Sequence, residues 1–244
     1  MKSNFRVLLA LAVLTLAALA CQALDQSGDE NNIDVPDIDI EIPTVEVPEV
    51  EIPEVADSNV ILSDDFSSSS WGTGTDADSA VEYVGGALNF DVYTDNYFVW
   101  STPDDEVYSD VHLEVTAINN DTDSTTALGF ICNKSTGNDF YYFAFTPAGQ
   151  YAIALASEGE LDVFLTNNDE WADSDLITVS APSYRVGADC GNGRLALYVD
   201  GVEIASVSDS TYTSGRVALL VWSGEDVGLN TNVSFDDFEM TELP

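Results

Sequence analysis

Positively charged residues are nearly absent from this sequence. Its 244 residues contain 6 lysines and arginines against 44 aspartates and glutamates, which gives a formal net charge of −38 at pH 7. A field of this sign repels the phosphates of nucleic acids and of anionic lipid headgroups. The balance argues against nucleic-acid binding and against docking on an anionic membrane surface. It favours solubility or the binding of cations.

Histidine is scarcer still, and this limits the catalytic chemistry. The one histidine is His112, on the polar side of a predicted strand. A Ser-His-Asp or Cys-His triad would have to use this residue, and no G-x-S-x-G nucleophile motif accompanies it. We therefore interpret His112 as an ordinary surface residue and predict no catalytic residues.

Cysteine is also rare, and the first of the three copies ends an apolar segment. Val7–Ala20 is apolar except for Thr15 and follows a short basic segment. At 14 residues it is too short to span a bilayer comfortably and is typical of a signal peptide. Its end, Ala-Leu-Ala-Cys, resembles a bacterial lipobox. The resemblance implies a lipoprotein signal peptide over 1–20 and a diacylglycerol on Cys21; the alternative is an ordinary secretory signal with an incidental cysteine.

The other two cysteines are Cys132 and Cys190. They form an even pair in a protein predicted to be exported, where disulfides persist. Each ends a predicted strand, so we predict a disulfide that would join these strands if they are neighbours. Two free thiols are the alternative.

Lysine and arginine are missing altogether from Gln22–Asp57, which holds four of the eight prolines. Proline blocks helix and strand pairing, and closely spaced carboxylates repel one another. We predict a disordered, acidic, proline-rich linker over 21–57, reaching at most roughly 115 Å at ~3.1 Å per residue. The alternative is that its alternating valines and isoleucines pair as an edge strand.

The remaining residues, 58–244, form a single all-β domain in our interpretation. Turn signals recur every eight to twelve residues without a helical period, which predicts a sandwich of about fourteen strands. Two of these predicted strands are Glu160–Leu165 and Leu176–Val179. The clearest segment is Tyr184–Ser208, where Asn192-Gly193 and Asp200-Gly201 predict two type I′ turns. The second turn places Val199 opposite Val202 and Leu197 opposite Ile204.

The order of these strands resembles the concanavalin A-like or laminin G-like jelly roll, a fold shared with keto-disaccharide hydrolase domains. The resemblance covers roughly residues 60–243. It is carried by an opening SDDF with Trp71, the pair GFICNKSTGNDFYYFAF, the hairpin NGRLALYVDG, SGRVALLV and a closing VSFDDFEM. It implies a two-sheet antiparallel jelly-roll sandwich with one sheet curved into a concave face.

One motif resembles the catalytic strand of laminarinase-type retaining glycosidases, which share this fold. Glu160-Leu161-Asp162-Val163 matches its first part, where alternation places two carboxylates on one face. The second glutamate, the required acid/base, is missing because Phe164 and Leu165 follow. The motif therefore argues against catalysis.

The same resemblance implies a structural cation between the first and last strands. Hard cations take carboxylate and carbonyl oxygens. We expect one Ca²⁺ held by Asp65, Asp236 and the carbonyl of Gly86, with the neighbouring Asp64, Asp237 and Gly85 as alternatives at these positions. Otherwise these acids cap strand ends and face water.

Aromatic residues suit sugar binding, because a flat ring stacks on the apolar face of a pyranose. Candidates in the sequence are Trp100, Tyr142, Tyr151, Trp171 and Trp222, of which we predict all but Trp171 to bind ligand. The strand Phe140–Phe145 is aromatic on both faces, so one face is core and the other is free to be the concave surface. Any single ring is equally open to a packing role.

The leading hypothesis is therefore a lipoprotein on the extracytoplasmic face of a bacterial cell envelope, bearing a non-catalytic, lectin-like domain. Its partner would be a glycan or glycoconjugate, and its contact with the membrane would be the lipid anchor alone. A structural or protein-interaction module of the envelope is the second hypothesis. A glycoside hydrolase is the third.

Overall fold

The computed structural model describes residues 59–120, 124–135, 137–168, 170–224 and 231–244. The predicted signal peptide, the predicted lipid attachment at Cys21 and the predicted linker lie outside these ranges. Within them the regular elements are sixteen β-strands. These are β1 (Val60–Asp64), β2 (Gly74–Thr75), β3 (Ser79–Val84), β4 (Ala87–Val92), β5 (Phe98–Ser101), β6 (Val111–Asn119), β7 (Ala127–Lys134), β8 (Phe140–Phe145), β9 (Gln150–Ala156), β10 (Val163–Phe164), β11 (Ala172–Asp173), β12 (Tyr184–Gly191), β13 (Arg194–Val199), β14 (Val202–Ser208), β15 (Arg216–Trp222) and β16 (Thr231–Glu242).

The strands form two antiparallel sheets. The larger has nine strands in the order β14-β13-β12-β6-β16-β4-β3-β2, with β1 also paired to β16. The smaller has seven, in the order β10-β9-β8-β7-β15-β5, with β11 also paired to β9. The described ranges contain no helix that is long and apolar enough to cross a bilayer. The predicted two-sheet, antiparallel, all-β sandwich is confirmed.

The core lies between the two sheets, and alternation along each strand explains it. Alternate residues of β6, from Val111 to Ala117, are at most 1% exposed, while the residues between them are half-buried. A period of two places these apolar side chains on one face, and each buried valine or leucine stabilises the fold by about 1.5–3 kcal/mol. Rings meet across the two sheets at Phe145–Tyr184, with centroids 4.9 Å apart, and at Phe130–Phe238, with centroids 6.5 Å apart.

Both predicted type I′ turns are present. Asn192 and Gly193 have φ of 54° and 69°, and Asp200 and Gly201 have φ of 52° and 75°. A type I′ turn requires positive φ at both central residues, which Asn-Gly and Asp-Gly tolerate. The Asp200 carboxylate also accepts a hydrogen bond of 2.9 Å from the backbone N–H of Arg185, which ties the second turn to β12.

The predicted register of that hairpin is wrong beyond its first two pairs. Leu197 lies opposite Ala205 rather than Ile204, because the register shifts between Leu197 and Tyr198. Ile204 is an extra residue on β14, which makes a β-bulge. The bulge reverses the parity of the strand beyond it, and Ala205 and Val207, like Ile204, pack against the core.

Two predicted strands are much shorter than expected or missing. The strand predicted over Glu160–Leu165 is reduced to β10, and Leu176–Val179 forms turns and bends. Leu176 and Val179 are 60% and 62% exposed, whereas Ile177 between them is buried. The backbone N–H of Ile177 bonds to Ser174 instead of to a neighbouring strand. The alternation of aliphatic residues did not make this segment a strand, because no neighbouring strand in the described ranges pairs with it.

A disulfide joins Cys132 and Cys190, as predicted. Cys132 lies on β7 and Cys190 on β12, so the bond crosses the core and links the two sheets. The sequence suggested a staple between neighbouring strands; the Cα atoms are instead 6.4 Å apart across the sandwich.

Gly129 on β7 lies close against the backbone of β8, and this gives a prediction for stability. A Cβ at this position would lie 2.0 Å from the backbone carbonyl oxygen of Phe143 on β8. We expect Gly129→Ala to lower the free energy of unfolding by about 3 kcal/mol, because backbone must move to admit the methyl group. Urea denaturation would measure it, with Gly74→Ala as the control, since no atom lies within 4 Å of its added Cβ. Equal midpoints for the two variants would contradict this prediction.

Candidate ligand-binding groove

The seven-stranded sheet is apolar on both faces, which is the origin of the candidate site. Every residue of β8, and every residue of β7, is buried. Alternation sends Phe143 and Phe145 into the core between the sheets, and sends Tyr142 and Ala144 to the opposite, outer face. A groove of about 520 Å³ lies over that outer face. Alanines at its floor leave the space between the larger side chains; they are Ala127, Ala144 and Ala156.

Aromatic side chains line this groove. They are Phe98, Trp100, Phe140, Tyr142, Phe164, Trp171 and Trp222. The rings of Trp171 and Trp222 are nearly parallel, with an interplanar angle of 18° and centroids 6.2 Å apart. The indole N–H of Trp222 donates a hydrogen bond of 2.9 Å to the side-chain oxygen of Asn96. Trp100 is 38% exposed.

Three carboxylates line the same groove, all from the segment between β9 and β10. They are Glu158, Glu160 and Asp162. Burial among the groove residues raises the pKa of Asp162, and a hydrogen bond with the Tyr142 side chain opposes this shift. In the described part of the chain no lysine, arginine or histidine lines the groove.

A lysine outside the lining nevertheless contacts two of its rings. The ammonium of Lys134 lies 5.3 Å from the ring centroid of Trp100 and 5.4 Å from that of Phe140, which is cation–π geometry. The lysine is buried, and its burial lowers its pKa, as does the nearby charge of Arg216. The acids Asp139 and Glu158 act in the opposite sense.

The structure brings together three of the four predicted ligand-binding residues. Trp100, Tyr142 and Trp222 line the groove, and so does Trp171. Tyr151 does not, because it lies opposite Phe145 and shares its inward face, where it packs against the core between the sheets. Tyr151 therefore lies outside this groove, and the binding role of all four residues stays a prediction.

Two groove aromatics were missed. Phe98 stands two residues before Trp100 on β5, so alternation alone places both on one face and could have identified it. Phe164 lies in the segment read as a failed glycosidase motif. Its ring reaches Trp171 with centroids 5.8 Å apart, which no local pattern indicates.

The opening SDDF motif has a structural role through its first aspartate. The Asp64 carboxylate is buried and accepts hydrogen bonds from the backbone N–H of Phe66 (2.8 Å), the Ser70 hydroxyl (2.6 Å) and the Trp71 indole N–H (3.1 Å). These bonds close the loop after β1 and place Trp71 in the core. A buried carboxylate that lost these donors would be costly, so Asp64 has a structural role of its own.

The predicted calcium ligands make short local bonds. Asp65 accepts from the backbone N–H of Ser67 (3.0 Å), and Asp236 from that of Asp237 (2.8 Å). The described residues contain no group of three or more His, Cys, Asp or Glu side chains placed to hold a metal. An ion there would therefore need backbone carbonyls, such as that of Gly86, and water as further ligands.

The calcium site stays a prediction with a simple test. A structural ion that binds the folded state alone raises the melting temperature by mass action. The predicted site therefore requires that EDTA lowers the melting temperature and that added Ca²⁺ restores it. A melting temperature that does not respond to EDTA would contradict the site.

On the outer face of the nine-stranded sheet, His112 belongs to a polar network. Its Nδ1 lies 2.6 Å from Oδ1 of Asp189. The other oxygen of Asp189 accepts hydrogen bonds from Arg194 (2.8 Å) and from the Tyr198 hydroxyl (2.7 Å). The hydrogen bond to Asp189 raises the pKa of His112, and burial opposes this. His112 is thus half-buried and paired, rather than a free surface residue.

This pairing gives a pH-dependent stability. Because the pKa of His112 is raised on folding, its contribution is fully present below the unfolded value of about 6.5 and is lost as pH rises through the folded pKa. The pKa of Asp189 is lowered, so its own contribution is lost only in acid. We expect the destabilisation caused by His112→Gln, measured by urea unfolding, to be larger near pH 6 than near pH 9. An equal or opposite difference would contradict it.

The similarity of this chain to known proteins is limited to the fold. No family model matches the sequence, and no curated protein matches it. Among solved structures, the carbohydrate-binding module CBM66 from Bacillus subtilis superposes with a TM-score of 0.53 at 15% identity, covering 71% of this chain and 96% of the module. A beta-glucanase from Bacillus licheniformis gives 0.53 at 11% identity, covering 74% and 97%.

A third solved structure, a protein of unknown function with a galectin-like fold from Bacillus subtilis, gives a TM-score of 0.54 at 11% identity. The match covers 76% of this chain and 96% of that protein. Identities this low show a shared fold and nothing more specific. The chain therefore has a jelly-roll sandwich of the concanavalin A-like kind, as the order of its strands predicts.

Proposed function

We propose that this protein binds a glycan without catalysis, in the groove on the outer face of the seven-stranded sheet. The observation that carries the proposal is the combination of the parallel Trp171–Trp222 pair with the carboxylate of Asp162 in one groove. Flat rings cover the apolar faces of sugar rings, and carboxylates and amides accept hydrogen bonds from hydroxyls.

The size of the groove and the names of similar folds support the same ligand class. At about 520 Å³, the groove is within the range of small-molecule sites. The similar structures include proteins named as a carbohydrate-binding module and as a beta-glucanase.

A glycan array, followed by titration of tryptophan fluorescence, tests the proposal. Three of the four tryptophans line the groove, while Trp71 is 3% exposed in the core. A glycan bound in the groove should therefore change the emission saturably and protect most of it from quenching by acrylamide. If no glycan on the array binds and no emission changes at high glycan concentration, the proposal is wrong.

We further propose that Cys21 carries a diacylglycerol that anchors the protein on the extracytoplasmic face of a bacterial envelope. The lipobox-like end of the apolar segment supports this. Cells expressing the protein should incorporate labelled fatty acid into it, and Cys21→Ser should abolish the label. A label that persists in the variant would contradict the anchor.

A glycoside hydrolase is the second candidate, because one observation favours it. Glu160 and Asp162 both line the groove, and a carboxyl with a raised pKa is suited to act as a general acid. Incubation with any glycan that binds should release no new reducing ends under the proposed function. If new reducing ends are released, and if Glu160→Gln and Asp162→Asn each abolish this release, the protein is a hydrolase and the proposed non-catalytic function is wrong.

A further inference from the structure

The groove lining carries three carboxylates, and one of them has a cation near it. Lys134 lies against Trp100 and Phe140, and its ammonium interacts with Glu158.

Asp162 is another of these carboxylates, and no basic residue of the described chain is in the groove lining. Asp162 bonds with Tyr142, whose ring lies 6.4 Å from that of Phe164. Phe164 lies 5.8 Å from Trp171, which continues to Trp222. A carboxylate that shares a groove with aromatic faces suits an organic ammonium, through a charge-assisted hydrogen bond and cation–π contacts.

We propose that this groove selects glycans that carry a free amino group, such as oligomers of a deacetylated hexosamine. The ammonium would bind Asp162 next to Tyr142, within the aromatic lining. This inference rests on the proposed function and names its ligand class.

The charge of the whole chain acts in the same direction. A formal charge of −38 repels uronic-acid, sulfated and sialylated glycans before they reach the groove. A general attraction for any polycation also follows from this charge, so the experiment must separate it from binding at Asp162.

Calorimetric titration of the purified protein with three oligomers of equal length tests the inference: glucosamine, N-acetylglucosamine and galacturonic acid. Near pH 6 and at about 150 mM salt, we expect glucosamine to bind roughly ten- to hundredfold tighter than N-acetylglucosamine, which corresponds to one hydrogen bond to a charged group. Galacturonic acid should bind the least tightly.

Two substitutions separate the groove from the general field. In Asp162→Asn, the ratio of the affinity for the glucosamine oligomer to that for the N-acetylglucosamine oligomer should fall close to one. Glu82→Gln, on the exposed side of β3, removes the same single charge away from the groove and should keep the preference. Because both variants have the same net charge, a difference between them reports the local contact.

Each outcome decides the inference. If the preference for the glucosamine oligomer survives Asp162→Asn, or falls equally in both variants, it comes from general electrostatic attraction, and the inference is overturned. Equal binding of the glucosamine and N-acetylglucosamine oligomers overturns it and leaves the proposed function standing. Preference for the galacturonic acid oligomer also overturns it. No binding of any oligomer here or on the glycan array overturns both.

Discussion

Replacing Trp171 and Trp222 together by alanine should reduce glycan affinity by a factor of at least about one hundred. Residues at the centre of an aromatic binding site contribute 2 kcal/mol or more each when truncated, so the loss of two exceeds a hundredfold. The rings are nearly parallel and stand over an alanine floor, and removing both would open that end of the groove. Two of the four tryptophans are removed in this variant, which weakens the fluorescence signal, so calorimetry is the measurement.

The control for this double variant is Tyr93→Ala. Tyr93 is 45% exposed and does not line the groove, so its truncation removes a surface aromatic ring without touching the site. Both variants should show cooperative urea unfolding. A double variant that is folded and binds glycan as the unaltered protein does would remove the groove as the binding site.

The sequence was sufficient for the sandwich because its local signals agree. Alternation along β6 and the positive φ at Asp200-Gly201 follow from side-chain and backbone chemistry within a few residues. The two-sided aromatic strand Phe140–Phe145 likewise predicted that one sheet has an apolar outer face, which is where the groove lies.

The features that could not be predicted from the sequence are of two kinds: the face of a strand on which a residue lies, and contacts between residues far apart in the chain. Tyr151 is aromatic, like the residues that line the groove. Because it pairs with Phe145, however, its side chain lies on the inner face of the sheet. A single extra residue, Ile204, reverses part of β14 in the same way. The pairing of Trp171 with Trp222 joins residues far apart in the sequence, so no local pattern encodes it.

The motif Glu160-Leu161-Asp162 shows a third limit. Its carboxylates were read as part of a strand, yet they lie before β10 in a segment where Leu161 is 91% exposed. Alternation describes a strand that has a neighbour, and this segment has one only at Val163 and Phe164. The carboxylates reach the groove because the loop passes along its side.

Removing the disulfide should cause the largest loss of stability. Its loop closes over 58 residues, and the chain-entropy model assigns about 4 kcal/mol to a loop of this length. For a domain of this size that corresponds to a fall in melting temperature of roughly 8–16 °C. Cys132→Ala/Cys190→Ala is the variant to measure, because a single substitution would leave one unpaired thiol in the core.

The same variant separates stability from binding. The side chain of Cys132 faces the core between the sheets, on the opposite side of β7 from the groove floor. Glycan affinity should therefore be unchanged well below the melting temperature. Dithiothreitol should lower the melting temperature of the unaltered protein toward that of the variant and should not change the variant. A reductant effect of equal size on both proteins, or a variant as stable as the unaltered protein, would show that this bond does not hold the two sheets together.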